Sequence, residues 1–237
     1  MGDVHGTWRP HHNLCNVDVD GLAYRVYHGV RHVDGVAEHR FEVVCQCGQY
    51  VGRQYTVVLI QNLVNGDFDS THGVNVFYQN GAAMDASAAA SNGTEEWAEF
   101  QASMAELTER EWENMYSITR AKVKEGDVSS ANPVSMVFAF TVNDPAGFMS
   151  AFDAFWNSSA VQDFPGAVYL GQTIASGRMP GTHFVTWVAD SRGNLVEAMQ
   201  AVRNSPDTDA YRIAVSGKRT LEATNMSVEV KRWVNGG

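Results

Sequence analysis

Residues Val57–Phe77 read VVLIQNLVNGDFDSTHGVNVF, and the pattern returns 111 positions later in Val168–Val188, VYLGQTIASGRMPGTHFVTWV. Without a gap the two stretches share Val57/Val168, Leu59/Leu170, Gln61/Gln172, Gly66/Gly177, Thr71/Thr182, His72/His183 and Val74/Val185. Ordinary composition gives roughly one chance identity over such a window, so these matches mark an internal duplication. In each copy an apolar run, Val57–Val64 or Ala167–Ala175, stops at Gly66 or Gly177, and a second run, Thr71–Tyr78 or Thr182–Ala189, returns. That is the pattern of a hairpin whose glycine is free to take positive φ at the turn.

The flanking sequence extends the copies. Val134–Val142 (VSMVFAFTV) reads as a buried strand, and the stretch after it opens with Asn143 or Asp144 as a helix cap and Pro145 at the first helical position. Phe148, Met149, Phe152, Phe155 and Trp156 then recur at helical spacing. The same offset assigns a helix to residues 34–50, where FEVVCQC would serve equally as a strand. Leu22–Val30 has the aromatic and branched content of a strand. After the first hairpin comes AAMDASAAAS, then a helix capped by Thr94 with Trp97, Phe100, Met104 and Leu107 on one face. After the second comes a helix carrying Leu195, Ala198, Met199 and Val202, then a less regular DAYRIAVSG. Met115–Val123 and Met226–Trp233 read as closing strands.

Each copy is therefore β-α-β-β-α-β, a ferredoxin-like unit. The chain divides into an irregular arm (1–21), a first repeat (22–125), a linker (126–133) and a second repeat (134–237). Its strands are apolar on both alternating sets, Met136, Phe138 and Phe140 against Val137 and Ala139, so both sheet faces need cover. The expected fold class is α+β: two tandem ferredoxin-like repeats packed sheet on sheet as a pseudo-dimeric α+β barrel. With this element order, the THxV strand and the acidic-aromatic helix before the last strand, residues 22–233 resemble the dimeric α+β barrel superfamily. The likeness is to its antibiotic-biosynthesis-monooxygenase-like members, here fused into one chain. The resemblance implies a small-molecule-binding barrel and cofactor-independent oxygenation, or a related proton transfer, on a small apolar or aromatic substrate.

His72 and His183 are the candidate catalytic residues. Each opens a strand just past the hairpin turn, and alternation groups His72 with Val74, Val76 and Tyr78, and His183 with Val185 and Trp187. A neutral imidazole at a cavity mouth could take a proton from a phenolic or enolic substrate; the same Thr-His pair could instead close the hairpin in both copies. Gln61 and Gln172, polar in apolar strands, are candidate ligand contacts, as are Tyr78, Phe184 and Trp187. The last two matter because the copies differ there, Gly73 against Phe184 and Val76 against Trp187, which would make the halves of a central cavity unequal.

Composition narrows the partners. A net charge of −10 without a local Lys/Arg cluster disfavours nucleic acid. No apolar run is long enough for a membrane helix, and the N-terminus lacks the basic start and apolar core of a secretory leader. Cys15, Cys45 and Cys47 cannot all pair, which favours a reducing, cytoplasmic compartment. His5, His11, His12 and Cys15 with Cys45 and Cys47 match no closed zinc spacing, so no metal site is assigned. No nucleotide, hydrolase or metalloprotease motif appears, and the expectation is no cofactor. A small apolar ligand and a second copy of the chain are the partners in view. Two other classes stay open: a non-catalytic protein whose barrel is filled by its own side chains, and a haem-binding protein of the chlorite-dismutase-like group, whose GxxDG-type motif is absent.

Overall fold

The computed structural model describes residues 55–123, 128, 130–178 and 180–235, and the backbone of 23–32. The segment 34–50 and the His/Cys-rich arm lie outside the described residues. The described elements are strands β1 (Ala23–His32), β2 (Tyr55–Val64), β3 (His72–Tyr78), β4 (Thr108–Lys122), β5 (Val134–Val142), β6 (Ala167–Ala175), β7 (His183–Ala189) and β8 (Arg219–Asn235). Helices α1 (Gly81–Ser91) and α2 (Glu95–Leu107) follow β3; α3 (Pro145–Trp156) and α4 (Ser159–Gln162) follow β5; α5 (Arg192–Arg203) and α6 (Pro206–Ala214) follow β7.

The helix starts obey their caps. Thr94 accepts from the Trp97 amide and Asp144 from the Gly147 amide, with Pro145 in the first turn of α3. The stretch DAYRIAVSG belongs to a regular helix: Ser205 caps it through the Thr208 amide and Pro206 sits in its first turn. β4 and β8 each begin seven residues before Met115 and Met226, where the expected closing strands start. TEREWEN and RTLEATN are polar, and they are drawn into strands by the ladders of their neighbours. His32 pairs with Thr108, and Val142 with Arg219.

All ladders are antiparallel and the strands close into one barrel in the order β1-β3-β2-β8-β5-β7-β6-β4. The first half runs β4-β1-β3-β2 and the second β8-β5-β7-β6, the same order. The halves meet edge to edge rather than as two stacked sheets. β2 pairs with β8 and β4 with β6, in registers Gln61↔Val228 and Ser117↔Gln172 that again differ by 111 at both partners. Closure leaves no strand edge open.

Alternation then sorts the strands into an inner and an outer layer. Outside the second half, Phe148, Phe152, Val168, Leu170, Trp187 and Leu195 form the largest core beneath α3–α6. Outside the first half, Val57, Leu59 and Val74 pack under Phe100 and Met104 of α2. Inside the barrel, Val58, Ile60, Trp112, Tyr116, Ala139 and Phe184 form a third cluster.

The two hairpin glycines have different reasons. Gly66 takes φ 58°, as a turn glycine should. Gly177 does not adopt positive φ, which falls at Gly181 (109°) in that turn. Gly177 is needed because the turn lies against β4: a Cβ there would stand 2.2 Å from the Glu113 carbonyl oxygen. Gly177→Ala should therefore cost about 1–3 kcal/mol through backbone displacement. Gly66→Ala, which meets open space, should cost about 1 kcal/mol through its φ alone. Urea melts of the two variants check the ranking, and a Gly66 variant as damaged as the Gly177 one would contradict it.

Candidate functional site

On β3 and β7 the outward set is the one that begins with histidine. Val74 belongs to the outer cluster of the first half, and Val185 and Trp187 to that of the second, so His72 and His183 share the helix-facing side. The His183 ring lies 5.6 Å from that of Phe148 on α3. Each imidazole Nδ1 sits beside the hydroxyl of the preceding threonine, 3.0 Å for Thr71–His72 and 2.9 Å for Thr182–His183. The Thr182 hydroxyl already accepts from the Val142 amide at 3.0 Å. Its proton is thus free to go to Nδ1, with the Phe140 carbonyl a more distant alternative at 3.4 Å. In the tautomer that accepts this bond, the imidazole proton is on Nε2 and the Nδ1 lone pair a base would use is occupied. Burial also holds the ring below its ordinary pKa of 6.5.

The glutamines sit with the histidines. Gln61 pairs directly with His72 and Gln172 with His183, on the same outer face near the hairpin turns, and both are exposed. Tyr78 is outward as well: its hydroxyl bonds Ser87 of α1, and burial raises its pKa. Trp187 packs under the helices against Phe155 and Phe164, with centroids 6.5 and 4.9 Å away. Phe184 alone of the seven candidates points into the barrel. Its ring lies over Gly171, where a Cβ would come within 2.1 Å, and meets Tyr116 edge-on at 4.6 Å. Sequence alternation grouped these residues correctly but could not say which group faced inward, because both groups are apolar.

The inward face carries further polar side chains, among them Asn114, whose place before the closing strand marks it in the sequence as a turn residue. Asn75 and Asn114 are each 2% exposed and Thr186 5%. Asn114 donates to the Tyr116 hydroxyl and accepts from the Gly177 amide, both at 2.6 Å. The Thr186 hydroxyl is buried without a partner among the described residues. Glu229 and Arg232, whose register partners are the inward Ile60 and Val58, form a bidentate pair at 2.8 and 2.5 Å. Burial alone would lower the Arg232 pKa, but the Glu229 hydrogen bonds and charge, with a contribution from Tyr169, raise it. Tyr169 lies between the outward Val168 and Leu170 and so shares this interior. The available signal was the 111-residue offset applied to the inward set, where Asn75/Thr186 and Asn114/Asn225 are equivalent polar pairs.

The barrel end at the hairpin turns is closed. Phe68 lies tilted against Trp112, with ring centroids 5.6 Å apart, and the Arg178 guanidinium stands 5.7 Å from the Phe68 ring. Glu111 accepts from the Asp69 and Ser70 amides at 3.1 and 2.7 Å and from Arg178 at 3.0 Å, joining the turns of both halves. Burial opposes its ionisation, but these donors outweigh it and hold the carboxyl below the ordinary range.

No protein-family model and no curated protein matches the chain in sequence. Solved structures do match in shape. A "Putative monooxygenase" from Fusobacterium nucleatum aligns with TM-score 0.59 at 13% identity, over 92% of this chain and 96% of that one. Another from Lactobacillus acidophilus gives 0.56 at 11%, over 91% and 97%. An "anthrone oxidase-like protein" gives 0.52 at 15%, over 92% and 95%, and a "Putative Chlorite dismutase" gives 0.51 at 8%, over 89% and 95%. At these identities the likeness is one of fold: an α+β barrel with its helices outside.

The chlorite-dismutase likeness raises haem. A haem needs a flat opening and an axial donor. Of the histidines with described side chains, His72 and His183 both lie outside the barrel with Nδ1 engaged by threonine. The layer beneath α3–α6 is closed by Phe148 and Leu195, both 0% exposed, and by the Phe155–Tyr211 stack at 4.5 Å. The described residues do not fit the group. Among them no three His, Cys, Asp or Glu residues are grouped to hold a metal ion, and no helix is long and apolar enough to cross a membrane.

Because His183 is held neutral, the unfolded chain takes up its proton more readily than the folded one. Stability should fall as pH drops below about 6.5 and level off beneath the depressed folded value. His183→Gln should flatten this part of a urea-melt pH series, and nitrogen NMR should find the proton on Nε2. A ring protonated on Nδ1 at neutral pH would refute the assignment.

Proposed function

We propose that this protein binds a small apolar or aromatic molecule inside its barrel and acts on it as a cofactor-independent, monooxygenase-like enzyme. One observation carries the reading: Asn75, Thr186, Tyr169 and Glu229 sit on the inward face among aromatic and aliphatic side chains, with the half-exposed Arg232 paired to Glu229. A closed barrel wall carrying a few polar groups is the usual make-up of a small-molecule site. The names of the fold's neighbours, monooxygenase and anthrone oxidase-like, lend support.

The chemistry follows from what these groups can do. As its phenolate, which the neighbouring Arg232 charge favours, Tyr169 can take a proton from an activated CH₂ of the substrate, returning to the phenol, and the Arg232 guanidinium can hold the resulting enolate oxygen. The carbanion passes its electrons to dioxygen. The CH₂ becomes C=O and the second oxygen atom leaves as water, so the substrate itself supplies all four electrons that dioxygen takes up. In this reading the histidines and glutamines support the hairpins, and the base is the Tyr169 phenolate.

We also read the two halves, 22–125 and 134–237 joined by 126–133, as tandem ferredoxin-like copies. Their shared strand order and the matched registers at both joins support it. The cysteine content supports a cytoplasmic setting for the enzyme. A second reading, a non-catalytic barrel filled by its own side chains, draws on the contiguous packing of Val58, Ile60, Trp112, Tyr116 and Phe184 inside.

Oxygen-electrode assays with anthrone and 1,8-dihydroxyanthrone separate the two. Uptake of one dioxygen per substrate is expected. Tyr169→Phe and Arg232→Gln should lower kcat by about 10²-fold, while His72→Ala and His183→Ala stay within about threefold of the parent. Loss of turnover in the histidine variants alone would return the base to the hairpins. No uptake by the folded protein with either substrate would favour the filled barrel.

A further inference from the structure

Asn114 and Asn225 stand 111 residues apart, and each ties its long strand to the hairpin turn of the opposite half. They do so with opposite ends of the amide. Asn114 uses Oδ1 for the Gly177 amide and turns Nδ2 to the Tyr116 hydroxyl. Asn225 uses Nδ2, which donates to Asn65 Oδ1 at 3.0 Å. That orientation is fixed, because the Asn65 Nδ2 is committed to the Phe68 and Ser70 carbonyls and only its oxygen is left for Asn225. The Asn225 Oδ1 is thereby left buried without a partner among the described residues.

What is missing is visible from the other half. Where β4 carries Tyr116, β8 carries Ser227, whose hydroxyl is bonded to that of Ser135 at 2.9 Å. Where β4 carries Trp112, β8 carries Ala223. The inward wall of β8 is thus smaller and more polar than that of β4, although Phe184 takes back part of the space. A second orphan faces the same wall. Val137 of β5 pairs with both Thr186 and Asn225, so these two flank it on the inward face, with Cα atoms about 10 Å apart. Buried polar atoms are seldom left unserved, and here an acceptor and a hydroxyl are left together.

We propose that the inner wall of β8 is a seat for a hydroxy-aromatic ligand. Its phenolic hydroxyl donates to Asn225 Oδ1, in the place that Tyr116 fills beside Asn114, and Thr186 bonds a second polar substituent. The proposal rests on the reading that the barrel interior admits a ligand, and it names the chemical class and the contacts.

Fluorescence titration with 2-naphthol and with 2-methylnaphthalene, its near-isostere without the hydroxyl, tests it. The parent should bind 2-naphthol about tenfold more tightly, the worth of one buried hydrogen bond. Ser227→Tyr supplies the missing ring from the chain itself and should abolish 2-naphthol binding. Thr186→Val removes the orphan hydroxyl without a change of shape. 2-Naphthol, which has no second polar group, should bind this variant within about twofold of the parent, whereas 2,6-dihydroxynaphthalene should weaken several-fold while the melting temperature holds. Equal loss or no loss for these two hydroxylated compounds overturns the Thr186 contact. Equal affinity for the two probes, or a folded Ser227→Tyr protein that binds as the parent does, overturns the seat while leaving a barrel ligand in place. Failure of both probes to bind overturns the seat and the barrel-ligand reading together.

Discussion

The structure depends on the two ladders that join its halves, β2 with β8 and β4 with β6. Each joins the edge of one half to the edge of the other, and together they turn two open sheets into a closed wall. Everything inward of that wall follows from closure. Side chains that would lie on an open sheet's second face become an interior, and polar ones among them must find partners across the barrel or from a ligand. Asn114 and Asn225 show how tightly closure is coupled to the turns, since each reaches from a long strand of one half to the hairpin of the other. Glu111 repeats the theme with two amides from one turn and a guanidinium from the other.

Much of this fold was legible because its signals are local. The hairpins, the Thr94 cap and the Asp144-Pro145 start are written in short stretches and appear where their chemistry puts them. What was not legible is what neighbours decide. The polar first halves of β4 and β8 are strands because β1 and β5 offer them a ladder. Gly177 is a glycine because the Glu113 carbonyl lies against it, a contact spanning the two halves. No periodicity in either segment announces such a constraint.

The site was legible to the same degree. Alternation assigned His72, Tyr78, His183 and Trp187 to a common kind of face, yet it could not choose between a face toward helices and a face toward a cavity. Both are apolar in a barrel wrapped by helices. The choice falls with Phe148, which meets His183 from α3 and leaves the even-numbered residues of β7, Phe184 and Thr186, to the interior. Of the two differences between the copies, Gly73 against Phe184 is therefore an interior difference, and Val76 against Trp187 belongs to the helix layer.

The interior difference has a compensating logic. In the first half Ile60 faces Gly73 across the hairpin ladder; in the second Gly171 faces Phe184, so the large and small members change strands. Phe184 can lie across β6 toward Tyr116 only because Gly171 has no Cβ. Its ring then fills the level of the barrel where β8 has only Ala223, whereas in the first half Trp112 fills the corresponding level from β4. Packing at the closed, turn-bearing end is thereby kept with one large aromatic from each half. Further along β8, Ser227 stands where β4 has the Tyr116 ring, and beside it Asn225 and Thr186 face inward, with Tyr169 of β6 paired to Thr186. A barrel of two matched halves can hold its shape with one set of differences and leave polar groups facing inward with another, provided the two sets lie at different heights on the same strands.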